Sequence, residues 1–258
     1  VERPTPVNLR AENCDRTLLL LKRGERCMRI ESGVPGFDAL VDGGLPENRL
    51  YVVCGPPGSG KTTFCSQFVS SGARRGEKAL FVSMHESKTD IREDMSGYEF
   101  GFDRLLGTEA VSFLDAFSAD GQRFLGRKGQ HVDQNGITNR LVSFIESRGI
   151  KRVVVDSTML LRYMLDDDDD TLIDFMTAMK RVDATVLLIS EMTDPSAYTD
   201  EHYLAHGVVF LHNFLQEGGM TRGIQVLKMR GTDVDTDMHE VTFSDDGISV
   251  GGPTALVH

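Results

Sequence analysis

The segment Leu50-Tyr51-Val52-Val53-Cys54-Gly55-Pro56-Pro57-Gly58-Ser59-Gly60-Lys61-Thr62-Thr63 decides how the rest of the chain is read. An apolar, β-prone run feeds a glycine-rich turn. The turn opens into a predicted helix from Lys61 to about Ala73, with Phe64, Phe68 and Val69 on its apolar side. From Gly55 the residues match G-x-x-x-x-G-K-[ST], with the preceding strand and following helix that a phosphate-binding loop needs. A chance match in a surface turn is the competing account, and the full consensus in its proper setting argues against it. The predicted nucleotide contacts are Pro57, Gly58, Ser59, Gly60, Lys61, Thr62 and Thr63. Successive N–H groups at the turn and helix start converge on a phosphate chain, the helix dipole favours negative charge there, and glycines let the backbone come close. Lys61 would reach the β- and γ-phosphates, and the Thr62 hydroxyl would ligate Mg²⁺.

The 258 residues suffice for one large α/β domain or two small ones, and 40% hydrophobic residues is ordinary for a globular protein. No apolar run approaches the ~18 residues of a membrane span, and no secretory leader opens the chain, which begins at Val1 rather than Met. The expectation is a cytoplasmic protein trimmed at its start. A net charge of −11 argues against broad binding to nucleic acid or anionic membranes. Asp exceeds Glu and Arg exceeds Lys, a bias compatible with a salt-loving source. Cys14, Cys27, Cys54 and Cys65 form no C-x-x-C pair, so zinc is poorly supported and a reducing compartment fits.

Residues 1–29 form an arm or cap, either packed on a neighbour or lying over the chain's own sheet, and 30–258 form the main domain. From Ile30 the text becomes specific. Ser32-Gly33-Val34-Pro35-Gly36-Phe37-Asp38-Ala39-Leu40 and Gly43-Gly44-Leu45-Pro46 precede the loop, Arg152-Val153-Val154-Val155-Asp156-Ser157 follows it, and Val226-Leu227-Lys228-Met229-Arg230-Gly231-Thr232 comes late. Together these resemble the KaiC-like branch of the RecA superfamily of ATPases, over roughly residues 30–250 and weakly across 97–150. The resemblance implies a RecA-like fold binding ATP and Mg²⁺, a homo-oligomer that is a ring of six subunits, and an unidentified regulatory protein partner.

The patterns agree with such a fold. Strands are predicted at Lys78–Met84, Ala110–Phe117, Lys151–Val155 and Ala184–Ser190, with helices near Thr89–Gly97, from Ile137 to Arg148, and through Leu172, Phe175, Met176, Met179 and Val182. Alternating strands and helices imply a mostly parallel sheet covered on both faces. Residues 118–134 are polar and Gly-rich, and read as a mobile loop. Val208–Phe214, Gly223–Met229, Glu240–Phe243 and Ile248–Val250 read as an antiparallel extension, with a hairpin turn at Asp246-Gly247.

Asp156, ending an apolar strand, would join Thr62 in holding Mg²⁺, against the plainer reading of a loop aspartate; Ser157 would help orient water. At the end of the strand after the first helix the family commonly places a Glu-Glu pair, and this chain has His85-Glu86. Glu86 keeps one carboxylate as the candidate general base; His85 either replaces the other or merely lines the crevice. Lys228 and Arg230 alternate on one strand face, and by resemblance reach the neighbouring subunit's γ-phosphate; otherwise they are a solvated basic edge. Ser190 or Glu191 could sense the γ-phosphate, or simply end a strand. Near His202-Tyr203 the family's phosphorylated Ser-Thr pair is missing, which leaves only Thr199. The Asp166–Asp170 run reads as a solvated lead into a helix rather than a metal site. The leading reading is a slow Mg-dependent ATPase at subunit interfaces acting as a regulatory switch. A non-hydrolysing ATP sensor of the same fold comes second, and a DNA-binding recombinase relative third.

Overall fold

The computed structural model describes residues 28–116, 118–125, 134–164, 169–216 and 219–254. The predicted arm, up to residue 27, lies outside them. Strand β1 (Arg29–Ile30) pairs with β2 (Leu45–Pro46), with helix α1 (Phe37–Leu40) between them. The main sheet has nine strands: β3 (Leu50–Gly55), β4 (Lys78–Ser83), β5 (Val111–Asp115), β6 (Ile150–Asp156), β7 (Thr185–Glu191), β8 (Gly207–Gln216), β9 (Gly219–Met229), β10 (His239–Ser244) and β11 (Gly247–Pro253). Their order is β11-β10-β9-β8-β3-β7-β6-β4-β5, which puts β3 near the middle. The pairs from β8 through β3, β7, β6 and β4 to β5 are parallel, and β8-β9-β10-β11 is antiparallel. The expected parallel sheet with an antiparallel extension is what the chain forms.

Helices α2 (Lys61–Arg74), α3 (Lys88–Asp94), α4 (Phe102–Leu105), α5 (Ala119–Leu125), α6 (Gln134–Arg148), α7 (Thr158–Met164), α8 (Asp169–Met179) and α9 (Asp200–Leu204) complete the described elements. The pleat of β3 divides its apolar run between two cores. Tyr51 and Val53 join Phe37, Phe64 and Phe68 on one face of the sheet. Leu50, Val52 and Cys54 join Leu141, Phe175 and Met176 on the other. A central strand buried on both faces must read as an unbroken apolar run, which is why residues 50–54 carry no polar alternation. Cys54 behaves as a small buried hydrophobe, its thiol pushed up to about 12 by burial.

Two expectations need correction. Residues 119–125 of the supposed loop form α5, where Gly121 fits because a Cβ there would lie 1.6 Å from the Asp115 carbonyl oxygen; 126–133 lie outside the described residues. The last hairpin turns at Asp245 and Asp246, with Gly247 already paired to Ser244 and supplying the positive φ of 100°. The acidic run straddles the undescribed residues 165–168, and α8 begins at Asp169.

Candidate nucleotide site

The glycine-rich turn lies at the carboxyl end of β3, where an open parallel sheet presents its ligand crevice. It is seated against the antiparallel extension. A Cβ on Gly55 would lie 2.1 Å from the Leu211 carbonyl oxygen, and one on Gly60 would lie 2.5 Å from Cζ of Phe243. Gly60, at φ 100°, is the N-cap of α2. The opening N–H groups of that helix, at Lys61, Thr62 and Thr63, have no backbone acceptor among the described residues, as at any helix start.

Lys61 is 7% exposed. Its ammonium donates to the carbonyls of Gly55 (2.8 Å) and Pro56 (3.0 Å) and lies 3.5 Å from Glu191 Oε1. The Thr62 hydroxyl donates to Asp156 Oδ2 at 2.9 Å. Asp156 ends β6 and is 2% exposed. Burial raises its carboxyl above the usual range, against the opposing pull of His85, Thr62 and Lys61. His85 lies between two carboxylates, with Nδ1 3.7 Å from Asp156 Oδ1 and Nε2 3.7 Å from Glu86 Oε2. Burial also raises Glu86, partly offset by His85. Thr63 is buried in the first turn of α2, Ser157 is buried next to Asp156 in the chain, and the buried Ser59 hydroxyl has no partner among the described residues. A buried carboxylate and a hydroxyl at the foot of an N–H-lined loop suit a hard divalent cation that takes its other oxygens from phosphate and water. No cluster of three or more His, Cys, Asp or Glu side chains among the described residues offers a complete cage.

Thus Lys61, Thr62, Asp156, His85, Glu86 and Glu191 are brought to one crevice. Ser190 is not among them: its hydroxyl is buried and donates to Glu201 Oε1 at 3.0 Å, and Arg162 holds the other carboxylate oxygen at 2.7 Å. Lys228 and Arg230 are also elsewhere. Lys228 donates to the carbonyls of His202 and Tyr203 (both 2.9 Å), and Arg230 to that of Tyr203 (2.8 Å), so both rest on the carboxyl end of α9. Through Gly207, Met229 is level with Tyr51. At about 3.3 Å per residue, that leaves Arg230 roughly 15 Å from Gly55 along the sheet.

The family pattern that matches this chain is an ATPase domain described as KaiC, over residues 30–255. The chain belongs to the KaiC family of ATPases. It is 31% identical over 212 residues to the circadian clock protein KaiC3 of Synechocystis, covering 80% of this chain and 42% of that protein. It therefore spans less than half the length of the KaiC clock relatives it matches. A UPF0273 protein of Methanopyrus kandleri, MK0039, is 28% identical over 240 residues, covering 86% of this chain and 91% of the relative. The crystal structure of the KaiC-like protein PH0186 from Pyrococcus horikoshii superposes with a TM-score of 0.76 at 25% identity, over 88% of this chain and all (100%) of that one. Nucleotide binding and ATPase activity are thus assigned at the level of the KaiC family.

The sequence did not reveal two residues that touch the KaiC-type loop directly. Asn213 of β8 donates to the Pro57 carbonyl at 3.2 Å, and Arg222 of β9 to the Gly58 carbonyl at 3.1 Å. Both contacts span more than 150 residues of sequence, 156 and 164 respectively, and no local pattern signals them. Glu201 escaped for a like reason: its partners Ser190 and Arg162 lie 11 and 39 residues away, and no local pattern joins them to it.

Proposed function

We propose that this chain binds Mg-ATP at boundaries between its subunits and hydrolyses it slowly, serving as a regulatory switch. The observation that carries this reading is the Thr62–Asp156 contact at 2.9 Å, formed at the foot of the phosphate loop with Glu86 on the adjoining strand end. Thr62 and Asp156 would hold Mg²⁺, whose charge would offset that of the β- and γ-phosphates. Lys61 would exchange its carbonyl partners for phosphate oxygens. Glu86, raised by burial and so better matched to proton transfer near neutral pH, would orient and deprotonate the attacking water. Lys228 and Arg230 rest on the α9 carbonyls, away from their own loop, and would act on the loop of the next subunit in a ring.

The observation favouring the non-hydrolysing reading is His85, which occupies the space between Asp156 and Glu86 where the family commonly has a second glutamate. Steady-state phosphate release with Mg²⁺, compared between wild type and Lys61→Ala, decides. Turnover lost in Lys61→Ala supports the enzyme. Equal turnover in the two proteins assigns the activity to a contaminant, and tight ATP binding without turnover leaves the sensor.

A further inference from the structure

Glycines make a phosphate loop possible without making it fixed. Gly58 (φ 74°) and Gly60 (φ 100°) allow the conformation that turns N–H groups inward, but as glycines they permit many others. Because the peptide unit is planar, holding the carbonyl of one residue also aims the N–H of the next. The Pro57 carbonyl is tied to the Gly58 N–H in this way, and the Gly58 carbonyl to the Ser59 N–H. The loop's own bonds hold other carbonyls: Lys61 takes those of Gly55 and Pro56, and the Ser59 N–H makes a long bond, 3.3 Å, to that of Pro56.

The external restraint comes from one cross-strand pair. Asn213 and Arg222 face each other in the register of β8 and β9, and donate to these two successive carbonyls at 3.2 and 3.1 Å. The Arg222 guanidinium is itself placed, 4.6 Å over the ring of Phe243. Asn213 Oδ1 is buried without a partner among the described residues, so the contact with Pro57 is what fixes this amide. We propose that Asn213 and Arg222 are positioning residues for the phosphate loop, anchoring the Pro57 and Gly58 carbonyls to the β8–β9 ribbon and so holding the turn in the form that leaves the N–H groups at the start of α2 open to the phosphates. This rests on the reading that residues 57–63 hold the phosphates.

The test is equilibrium binding of Mg-ADP and of Mg-pyrophosphate, which has no base or sugar, to the full chain. Wild type is compared with Asn213→Ala, Arg222→Ala and Arg222→Lys, alongside thermal melts and steady-state kinetics. Each alanine variant is expected to weaken both ligands by a similar factor of about tenfold, with the loss larger in KM than in kcat. Arg222→Lys keeps a donor and is expected to recover most of the loss, a rescue that a merely structural arginine would not show. ADP weakened with pyrophosphate unchanged would mean that the side chains touch the base or ribose, and overturns the proposal. So does unchanged affinity for both. If Arg222→Ala fails to fold, Asn213→Ala and Arg222→Lys still decide it. A wild type that binds neither ligand overturns the nucleotide reading and this one together; one that binds both without turning over ATP removes only hydrolysis.

Discussion

On the proposed mechanism, whether bound ATP is cut turns on His85 and Glu86. The Glu86 carboxyl is raised by burial, and His85 beside it pulls the other way. A general base works only when deprotonated, so kcat/KM should rise with pH through an inflection above the ordinary carboxylate value of 4.5. Glu86→Gln should abolish that limb and lower kcat by at least about 10²-fold while leaving ADP binding close to wild type. His85→Ala should cost less, since it removes a neighbour of both carboxylates and not the base itself. Initial rates from pH 5 to 8 for the three proteins make the comparison. A larger loss in His85→Ala, with the inflection retained in Glu86→Gln, would transfer the base to the histidine.

The strand–loop–helix unit from β3 through α2 was legible because its signal is local: five consecutive apolar residues, a complete loop consensus and a periodic helix. β4, β6 and β7 were legible for the same reason, being apolar runs long enough to cross a sheet. The seat under the loop was not, because it is assembled from Leu211, Asn213, Arg222, Phe243 and Ile248, residues whose own neighbours say only that they lie in strands. Helix α9 was hidden by its cap, where the Thr199 N–H donates to His202 Nδ1 at 3.0 Å in place of the Glu or Gln of the usual capping box. Gly60 tests the seat. Alanine there meets both the positive φ of 100° and the ring of Phe243, so Gly60→Ala should lower stability by about 1–3 kcal/mol and nucleotide affinity by more than about tenfold. Gly97→Ala, whose Cβ would meet nothing within 4 Å, is the control. Where β3 meets β8, the Leu50 N–H donates to His206 Nδ1 at 3.2 Å, and burial together with Lys180 and Arg49 lowers His206 to about 4 from 6.5. The unfolded chain therefore takes up this proton first. The contribution is complete above about pH 6.5 and fades as the pH falls toward 4. Urea unfolding at pH 7 and pH 5 should show a smaller acid loss for His206→Asn, which keeps an acceptor but cannot be charged; an equal loss in both proteins would place the acid sensitivity elsewhere.

At the scale of the whole molecule, the sheet holds apart the two groups of residues that the proposed reaction would join. The phosphate loop lies at the carboxyl end of β3, and Lys228 and Arg230 lie near the opposite end, resting on α9 carbonyls. Their closeness in charge lowers Lys228 further than burial alone, which suits a cluster awaiting an anion. If the proposed role of these two residues holds, a site is completed only against another copy, with the two ends meeting head to tail, and such contacts close into rings when the rotation permits. Lys61→Ala removes the loop function of a subunit and leaves its Arg230 intact; Arg230→Ala does the reverse. Each variant alone should lack measurable turnover. Mixed in equal amounts and allowed to exchange subunits, they should regain activity, because an Arg230→Ala loop can meet an intact Arg230 from a Lys61→Ala neighbour. Random pairing gives about a quarter of interfaces with both parts sound, so recovery should approach that fraction of wild-type turnover per site. Full activity in Arg230→Ala alone would remove the arginine from the reaction. Inactive mixtures that nonetheless run as mixed assemblies on sizing would mean that each site is completed within its own chain, by a movement of β9 and α9 that frees Lys228 and Arg230 from the carbonyls of His202 and Tyr203.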